Sequence, residues 1–186
     1  MSELPLDLRY EPVMPADRTP GIGCIGAGFI MADCHLVAYR NAGFNPVAIA
    51  NRTLSRAQEA AERHGIDKVY EDYEELLADP AVEVVDIALP PDLQRGVIDR
   101  ICEGYAGKIR GILAQKPLAM TYEDARHIVE TCSAAGITLA VNQNMRYDQS
   151  IRALKDLLGR GLLGEPVLAT IDMRAIPHWS DWAVPY

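Results

Sequence analysis

Residues 21–30 read GIGCIGAGFI and decide the fold class, because they place a glycine turn between a short apolar strand and the start of a helix. Gly26 permits a tight turn out of the strand, and Gly28 would let the backbone approach a pyrophosphate bound at the helix N-terminus. Met31 replaces the third glycine of the GxGxxG fingerprint, so an ordinary glycine turn is the alternative. The position at the first strand–helix junction favours dinucleotide binding. The predicted contacts come from Gly26, Gly28, Phe29 and Ile30.

The chain beyond this turn alternates short apolar runs with segments of helical length. Strands are predicted over residues 21–25, 46–50, 69–70, 82–89, 111–114 and 138–141. Helices are predicted over 29–41, from 55 onward, and over 73–78, 93–103, 122–135 and 150–160. Parallel neighbours require a crossover helix, so this alternation indicates a parallel sheet covered on both faces. The predicted fold class is α/β, a doubly wound parallel sheet of the Rossmann type.

The domain organisation follows from the same pattern. An N-terminal tail is expected over residues 1–20, a dinucleotide-binding domain over 21–148, and a linking helix with the start of a second domain over 149–186. Residues 166–174 read as a strand, the first of a second α/β domain whose remaining strands are absent from the sequence. An unpaired strand seeks partners, so we expect self-association through its exposed edge.

Composition excludes several classes of function. The net charge is −8, which disfavours binding to nucleic acid or to an anionic membrane surface. No apolar run reaches the length of about 18 residues that a membrane span needs, and the acidic, proline-containing start does not resemble a signal peptide. The cysteines have no metal-ligand spacing, so no metal site is predicted. We expect a cytoplasmic protein.

The end of the second predicted strand indicates which dinucleotide would bind. An acidic residue is usual there when the adenosine ribose carries a free 2′-hydroxyl. This chain has Asn51 and Arg52 instead, with Arg56 one helical turn later. Guanidinium groups pair with phosphate, so the sequence favours NADP over NAD. The alternative is that both arginines are solvated surface charges.

Further motifs appear in order along the chain, and together with the glycine turn they resemble the Gfo/Idh/MocA family of oxidoreductases over roughly residues 21–186. They are the Ala50-Asn51-Arg52-Thr53 strand end, Ile87-Ala88-Leu89-Pro90-Pro91, Ala114-Gln115-Lys116-Pro117-Leu118-Ala119, and Val141-Asn142-Gln143-Asn144-Met145-Arg146-Tyr147.

The resemblance implies roles for individual residues. In the family a lysine in a Glu-Lys-Pro motif reaches the nicotinamide ribose and the reacting substrate, so Lys116 is the predicted catalytic residue. Gln115 departs from that motif, and Gln94 departs from a histidine that many members carry. A surface lysine before a loop proline is the alternative for Lys116.

The remaining predicted cofactor contacts come from the same motifs. They are Leu89, Pro90, Gln115, Asn142 and Asn144, in addition to Lys116 itself. Asn142 and Asn144 could orient the nicotinamide carboxamide, or could instead serve turn formation. No histidine is a predicted base, because a solvated helix face is the simpler explanation for most of them; they are His35, His64, His127 and His178.

The resemblance implies an NAD(P)-dependent oxidoreductase that transfers hydride to or from a sugar, a polyol or a related secondary alcohol. Family members are typically twice this length, and their active-site histidine and acid lie in a second domain. We therefore expect this chain to bind cofactor without appreciable turnover. A non-catalytic regulatory protein of the same family is the alternative. A methyltransferase would need an acidic residue at the position of Asn51 and Arg52.

Overall fold

The computed structural model describes residues 7–172. The chain divides into two compact units. The larger is Val13–Asn144, and the smaller combines Met1–Pro12 with Met145–Tyr186, of which residues 7–12 and 145–172 are described.

The larger unit is built on a sheet of six parallel strands in the order β3-β2-β1-β4-β5-β6. The strands are β1 Gly21–Ile25, β2 Asn45–Ala50, β3 Lys68–Tyr70, β4 Val84–Ile87, β5 Gly111–Gln115 and β6 Thr138–Asn142. The strand order reverses between β1 and β4, which creates a crevice at the carboxyl ends of these strands. The predicted doubly wound sheet is confirmed.

Helices connect these strands and cover both faces of the sheet. They are α1 Leu36–Ala42, α2 Leu54–His64, α3 Tyr73–Ala78, α4 Pro91–Gly104 and α5 Tyr122–Ala134, whereas α6 Gln149–Gly159 follows the last strand and belongs to the smaller unit. A π-helical segment, Ile30–His35, runs directly into α1, and a 3₁₀ turn, Asn144–Tyr147, precedes α6. Thr121 caps α5, as its residue type predicts, by accepting a hydrogen bond from the Asp124 amide.

Two buried apolar clusters hold the sheet to its helices. One packs α3, α4 and α5 against the sheet through residues such as Leu76, Ile98 and Ile128. The other packs the Ile30–His35 segment, α1 and α2 through Met31, Leu36 and the small face formed by Ala57, Ala60 and Ala61. Small side chains on α2 let this helix approach the sheet closely.

Within the described residues, the structure does not contain the strand that the sequence predicted over residues 166–174. Residues 166–172 form no strand, and 173 and 174 lie outside the described residues. A strand exists through hydrogen bonds to a neighbouring strand, and the described residues supply none at this place. The exposed strand edge from which self-association was predicted is thus absent from residues 166–172, and self-association itself stays a prediction. None of the helices in residues 7–172 is long and apolar enough to cross a membrane.

The smaller unit joins its two chain segments through arginines of α6 and the residue after it. Arg152 donates from Nε to the Tyr10 carbonyl at 2.7 Å and from Nη2 to the Glu11 carbonyl at 2.8 Å. Arg160 donates to the carbonyl of Asp7 at 3.1 Å. Residues 7–11 of the predicted tail are thus held by side chains that follow the 3₁₀ turn.

Candidate functional site

A cleft of about 450 Å³ lies at the carboxyl ends of β1, β2 and β4, where the strand order reverses. Ligands of open α/β sheets bind in this crevice. Its wall contains most of the residues predicted to bind the adenosine and pyrophosphate: Gly26, Gly28, Asn51, Arg52, Arg56, Leu89 and Pro90. Phe29 lies in a smaller adjoining cleft of about 230 Å³, which shares Gly28 and Arg56 with the first.

The two loop glycines are required for different reasons. Gly26 has φ of +98°, and a Cβ there would lie 2.6 Å from the carbonyl oxygen of Ala88. The fold itself therefore needs Gly26. A Cβ on Gly28 would meet no protein atom within 4 Å, and its φ is not in the left-handed region. The protein leaves this space open at the start of a helical segment, where a pyrophosphate would bind.

Asn51 supports the glycine loop from the end of β2. Its Oδ1 accepts a hydrogen bond from the amide of Ala27 at 3.2 Å, and its Nδ2 donates to the carbonyl of Thr53 at 2.9 Å. Both polar atoms of the side chain are thus engaged within the protein. Asn51 fixes the loop conformation as well as lining the cleft.

Three charged side chains line the cleft near the ends of β2 and β3. Arg52 and Arg56 are exposed and line the cleft, as predicted from the sequence. Glu71, which follows β3 by one residue, and Tyr73 of α3 line it as well, and sequence reasoning missed both. Both could have been predicted from their positions just after β3, because the end of this strand lies at the same edge of the parallel sheet.

Lys116 follows β5 in a loop that Gln94 of α4 holds in place. Gln94 is fully buried. Its Nε2 donates to the carbonyls of Gln115 at 3.0 Å and Pro117 at 2.9 Å, and its Oε1 accepts from the Gln115 amide at 2.8 Å. The Lys116 side chain is exposed and forms no hydrogen bond or ion pair within residues 7–172. The loop backbone is therefore fixed while the ammonium group stays free.

Gln115 and Asn142 lie at paired positions of β5 and β6, and both face the same histidine. Gln115 Oε1 accepts from the Lys116 amide at 2.8 Å, and its Nε2 lies 3.3 Å from His35 Nε2. Asn142 Nδ2 lies 2.7 Å from the same nitrogen. Asn144 is exposed at the start of the 3₁₀ turn and has no part in this group.

The interpretation of His35 as a solvated helix residue is wrong. Its side chain is buried, and Nδ1 lies 2.8 Å from Oδ2 of Asp86, which also accepts from the Tyr39 hydroxyl at 2.6 Å. Burial and the neighbouring carboxylate raise the pKa of Tyr39 well above its ordinary value, so the hydroxyl remains a donor. Asp86 was the available signal, since a carboxylate inside an apolar strand needs a polar partner.

His64 and His127 also have hydrogen-bond partners within the larger unit. His64 Nε2 lies 2.7 Å from the carbonyl of Ala32. His127 Nε2 lies 2.8 Å from Asp99 Oδ1 and remains partly exposed. His178 lies outside the described residues. Within residues 7–172, no group of three or more His, Cys, Asp or Glu side chains could hold a metal ion.

Fold and cleft together define a dinucleotide-binding Rossmann domain. A sequence model of the oxidoreductase family with an NAD-binding Rossmann fold, Gfo/Idh/MocA, matches residues 21–143. The chain belongs to the Gfo/Idh/MocA family, and the matched residues form its NAD-binding domain. The resemblance inferred from the sequence motifs is confirmed.

Individual relatives are similar over the same region. The chain is 33% identical over 163 residues to 1,5-anhydro-D-fructose reductase of Ensifer adhaerens, covering 86% of this chain and 47% of the relative. It is 31% identical to D-apiose dehydrogenase of Paraburkholderia graminis, covering 81% and 39% respectively. The chain thus spans about half the length, or less, of these curated relatives.

Solved structures show the same fold. An oxidoreductase from Agrobacterium radiobacter in complex with NAD⁺, L-tartaric acid and magnesium superposes with a TM-score of 0.73 at 32% identity, covering 80% of this chain and 42% of that chain. A 3-ketoreductase from Actinomadura kijaniata in complex with TDP-benzene and NADP has a TM-score of 0.67 at 31% identity, with 78% and 45% covered.

Proposed function

We propose that this chain binds NADP(H) in the cleft at the strand-order reversal and serves hydride transfer to or from a sugar, polyol or related secondary alcohol. The cleft at the strand-order reversal carries the proposal, because Gly28 lines it and leaves room above its backbone for a bound group. Phosphate oxygens would accept hydrogen bonds from amides at the start of the Ile30–His35 segment.

The preference for NADP over NAD rests on Arg52 and Arg56. Both line the cleft beside the end of β2, where no carboxylate follows the strand. Guanidinium groups pair with a 2′-phosphate and stack on adenine. Both cofactors occur among the relatives, since one solved structure contains NAD⁺ and another contains NADP.

Lys116 is the proposed catalytic residue. A bound nicotinamide supplies or accepts the hydride, and a lysine beside it can give a proton or a hydrogen bond to the substrate oxygen. The fixed backbone and free ammonium group of Lys116 suit this role. The substrate class comes from the relatives, which include an anhydrofructose reductase and an apiose dehydrogenase. The free cysteines Cys24, Cys34, Cys102 and Cys132 agree with the proposed cytoplasmic location.

Gly28→Val tests the proposed cofactor site. A branched side chain would fill the open space above the loop, so NADPH binding measured by fluorescence titration should be lost. The backbone at Gly28 tolerates a side chain, so circular dichroism and the unfolding midpoint should change little. Gly107→Val is the matched control, because Gly107 also meets open space but lies outside the cleft. Undiminished binding by Gly28→Val would show that the glycine turn is only structural.

A further inference from the structure

A buried polar network lies beneath the carboxyl ends of β4, β5 and β6. It joins Tyr39 and Asp86 to His35, and His35 to the side-chain amides of Gln115 and Asn142. Asp86 is 1% exposed, and its Oδ1 has no hydrogen-bond partner among the described residues. A buried unpaired oxygen lowers stability, so packing alone does not explain a carboxylate at this position.

The hydrogen positions in this network follow from the chemistry of its members. Oδ2 of Asp86 is an acceptor, and it faces His35 Nδ1 at 2.8 Å. Nδ1 therefore carries the ring proton, which makes Nε2 of the neutral imidazole an acceptor. Nε2 in turn faces the amide nitrogens of Asn142 at 2.7 Å and Gln115 at 3.3 Å, and both are donors. Asp86 thus fixes the tautomer, and the single lone pair of Nε2 orients mainly the closer amide, that of Asn142, while Gln115 is oriented by Nε2 together with the Lys116 amide.

The orientation of each amide determines what its oxygen can do. With its nitrogen turned to His35, Gln115 presents Oε1 to the Lys116 amide at 2.8 Å. With its nitrogen engaged in the same way, Asn142 keeps Oδ1 as its remaining acceptor. A nicotinamide carboxamide has an NH₂ group that such an oxygen can bind.

We propose that His35 is a positioning residue for the nicotinamide end of the site. It orients Gln115, which holds the Lys116 backbone, and Asn142, which accepts from the carboxamide. The inference rests on the proposed function, because it assumes that the dinucleotide extends from the cleft toward Lys116. A purely structural histidine would stabilise the fold without affecting the nicotinamide in particular.

Two substitutions test the roles of the two ring nitrogens of His35 separately. His35→Asn places an amide near the position of Nδ1, which keeps a donor to Asp86 but removes the acceptor for Gln115 and Asn142. His35→Gln places an oxygen near the position of Nε2 and keeps that acceptor. His127→Asn is the matched control, since His127 also pairs with an aspartate but lies on α5, away from the cleft.

The measurement compares ligands with and without nicotinamide by calorimetry: NADPH with 2′-phospho-ADP-ribose, and NADH with ADP-ribose. His35→Asn should weaken binding of whichever of NADPH and NADH binds more tightly by about tenfold, the effect of one lost hydrogen bond. The affinity for the matching ligand that lacks nicotinamide should stay within about twofold of wild type. His35→Gln should retain most of the affinity, and His127→Asn all of it. Equal losses for both ligands, or none for either, would overturn the role of His35.

The wild-type chain provides an independent test that needs no variant to fold. Long-range ¹H–¹⁵N NMR of the histidine rings should show His35 protonated at Nδ1 and unprotonated at Nε2, and a proton on Nε2 would overturn the proposal. Failure of the wild-type chain to bind even 2′-phospho-ADP-ribose and ADP-ribose would overturn the proposed function itself, and this inference with it.

Discussion

Arg52, Arg56 and Glu71 give the cleft its charge near the ends of β2 and β3. The two guanidinium groups would attract the 2′-phosphate of the proposed cofactor, while the carboxylate would repel it. Because both arginines are exposed, their attraction is screened by solvent and salt unless they contact the phosphate directly. Direct hydrogen bonds to a charged group are worth more than such screened attraction.

Arg52→Ala should weaken NADPH binding by about 1.5 to 3 kcal/mol, the worth of a hydrogen bond to a charged group, and change NADH binding little. Fluorescence titration of both cofactors measures the difference. Arg126→Ala is the matched control, because Arg126 lies exposed on α5 and pairs with Glu130. Equal affinities of the wild type for the two cofactors, or a preference for NADH that survives the substitution, would overturn the preference for NADP.

Gln94 makes the side-chain hydrogen bonds between α4 and the end of β5. From a fully buried position it satisfies the amide and carbonyl of Gln115 and the carbonyl of Pro117. Gln94 stands where many family members carry histidine. In this chain it has a positioning role toward the Lys116 loop.

Gln94→Leu should lower the free energy of unfolding by about 2 to 4 kcal/mol, because it leaves buried backbone groups without partners. Urea denaturation measures the loss. Gln58→Leu on the exposed face of α2 is the control and should stay within about 0.5 kcal/mol of wild type. A small effect of Gln94→Leu would mean that the loop finds other partners.

Asp79 connects the end of α3 to β3. Its carboxylate is bonded by Lys68 Nζ at 2.8 Å, the Tyr70 hydroxyl at 2.9 Å and the Ala81 amide at 2.9 Å. Burial alone would raise the pKa of Asp79, but these three donors and the charge of Lys68 outweigh it and hold the pKa below the ordinary value of 3.8. The folded state therefore favours the ionised form.

A group whose pKa is lowered by folding contributes stability above its unfolded pKa, and this contribution is lost as the pH falls through the folded value. The wild-type chain should therefore lose stability between about pH 5 and pH 2. Asp79→Asn should be less stable at pH 7 and should show a shallower loss over that window. Chemical denaturation at a series of pH values checks this, and parallel curves for the two proteins would contradict it.

The assembled larger unit supplies a cofactor cleft and a free lysine, but within residues 7–172 no acid or base contacts the Lys116 ammonium. Positioning of substrate and catalytic groups can be worth roughly 7 to 11 kcal/mol of a reaction barrier. We expect the 186-residue chain to bind NADPH but to show no appreciable turnover with polyols or keto-sugars. Absorbance of NADPH measures turnover, with 1,5-anhydro-D-fructose reductase as the positive control. Robust turnover would show that the active site is complete in this chain.

The sequence by itself determined the alternation of strands and helices, the glycine loop and the family. These features depend on neighbours in the chain: apolar runs, caps such as Thr121, and the backbone freedom of Gly26. Local periodicity predicted the six strands. It also predicted a strand over residues 166–174, but residues 166–172 form none because no described strand pairs with them.

Only the tertiary structure decided how the polar residues around His35 meet. His35 lies 51 positions from Asp86 and 107 from Asn142, and no local pattern relates residues so far apart. Their contact arises because β4, β5 and β6 lie side by side and the His35 side chain, at the end of the π-helical segment, reaches a residue of each strand. The same long-range packing buries Gln94 under the Lys116 loop. The hydrogen-bond partners of a buried polar side chain are set by strand order and helix packing, and these become available only when the whole sheet has formed.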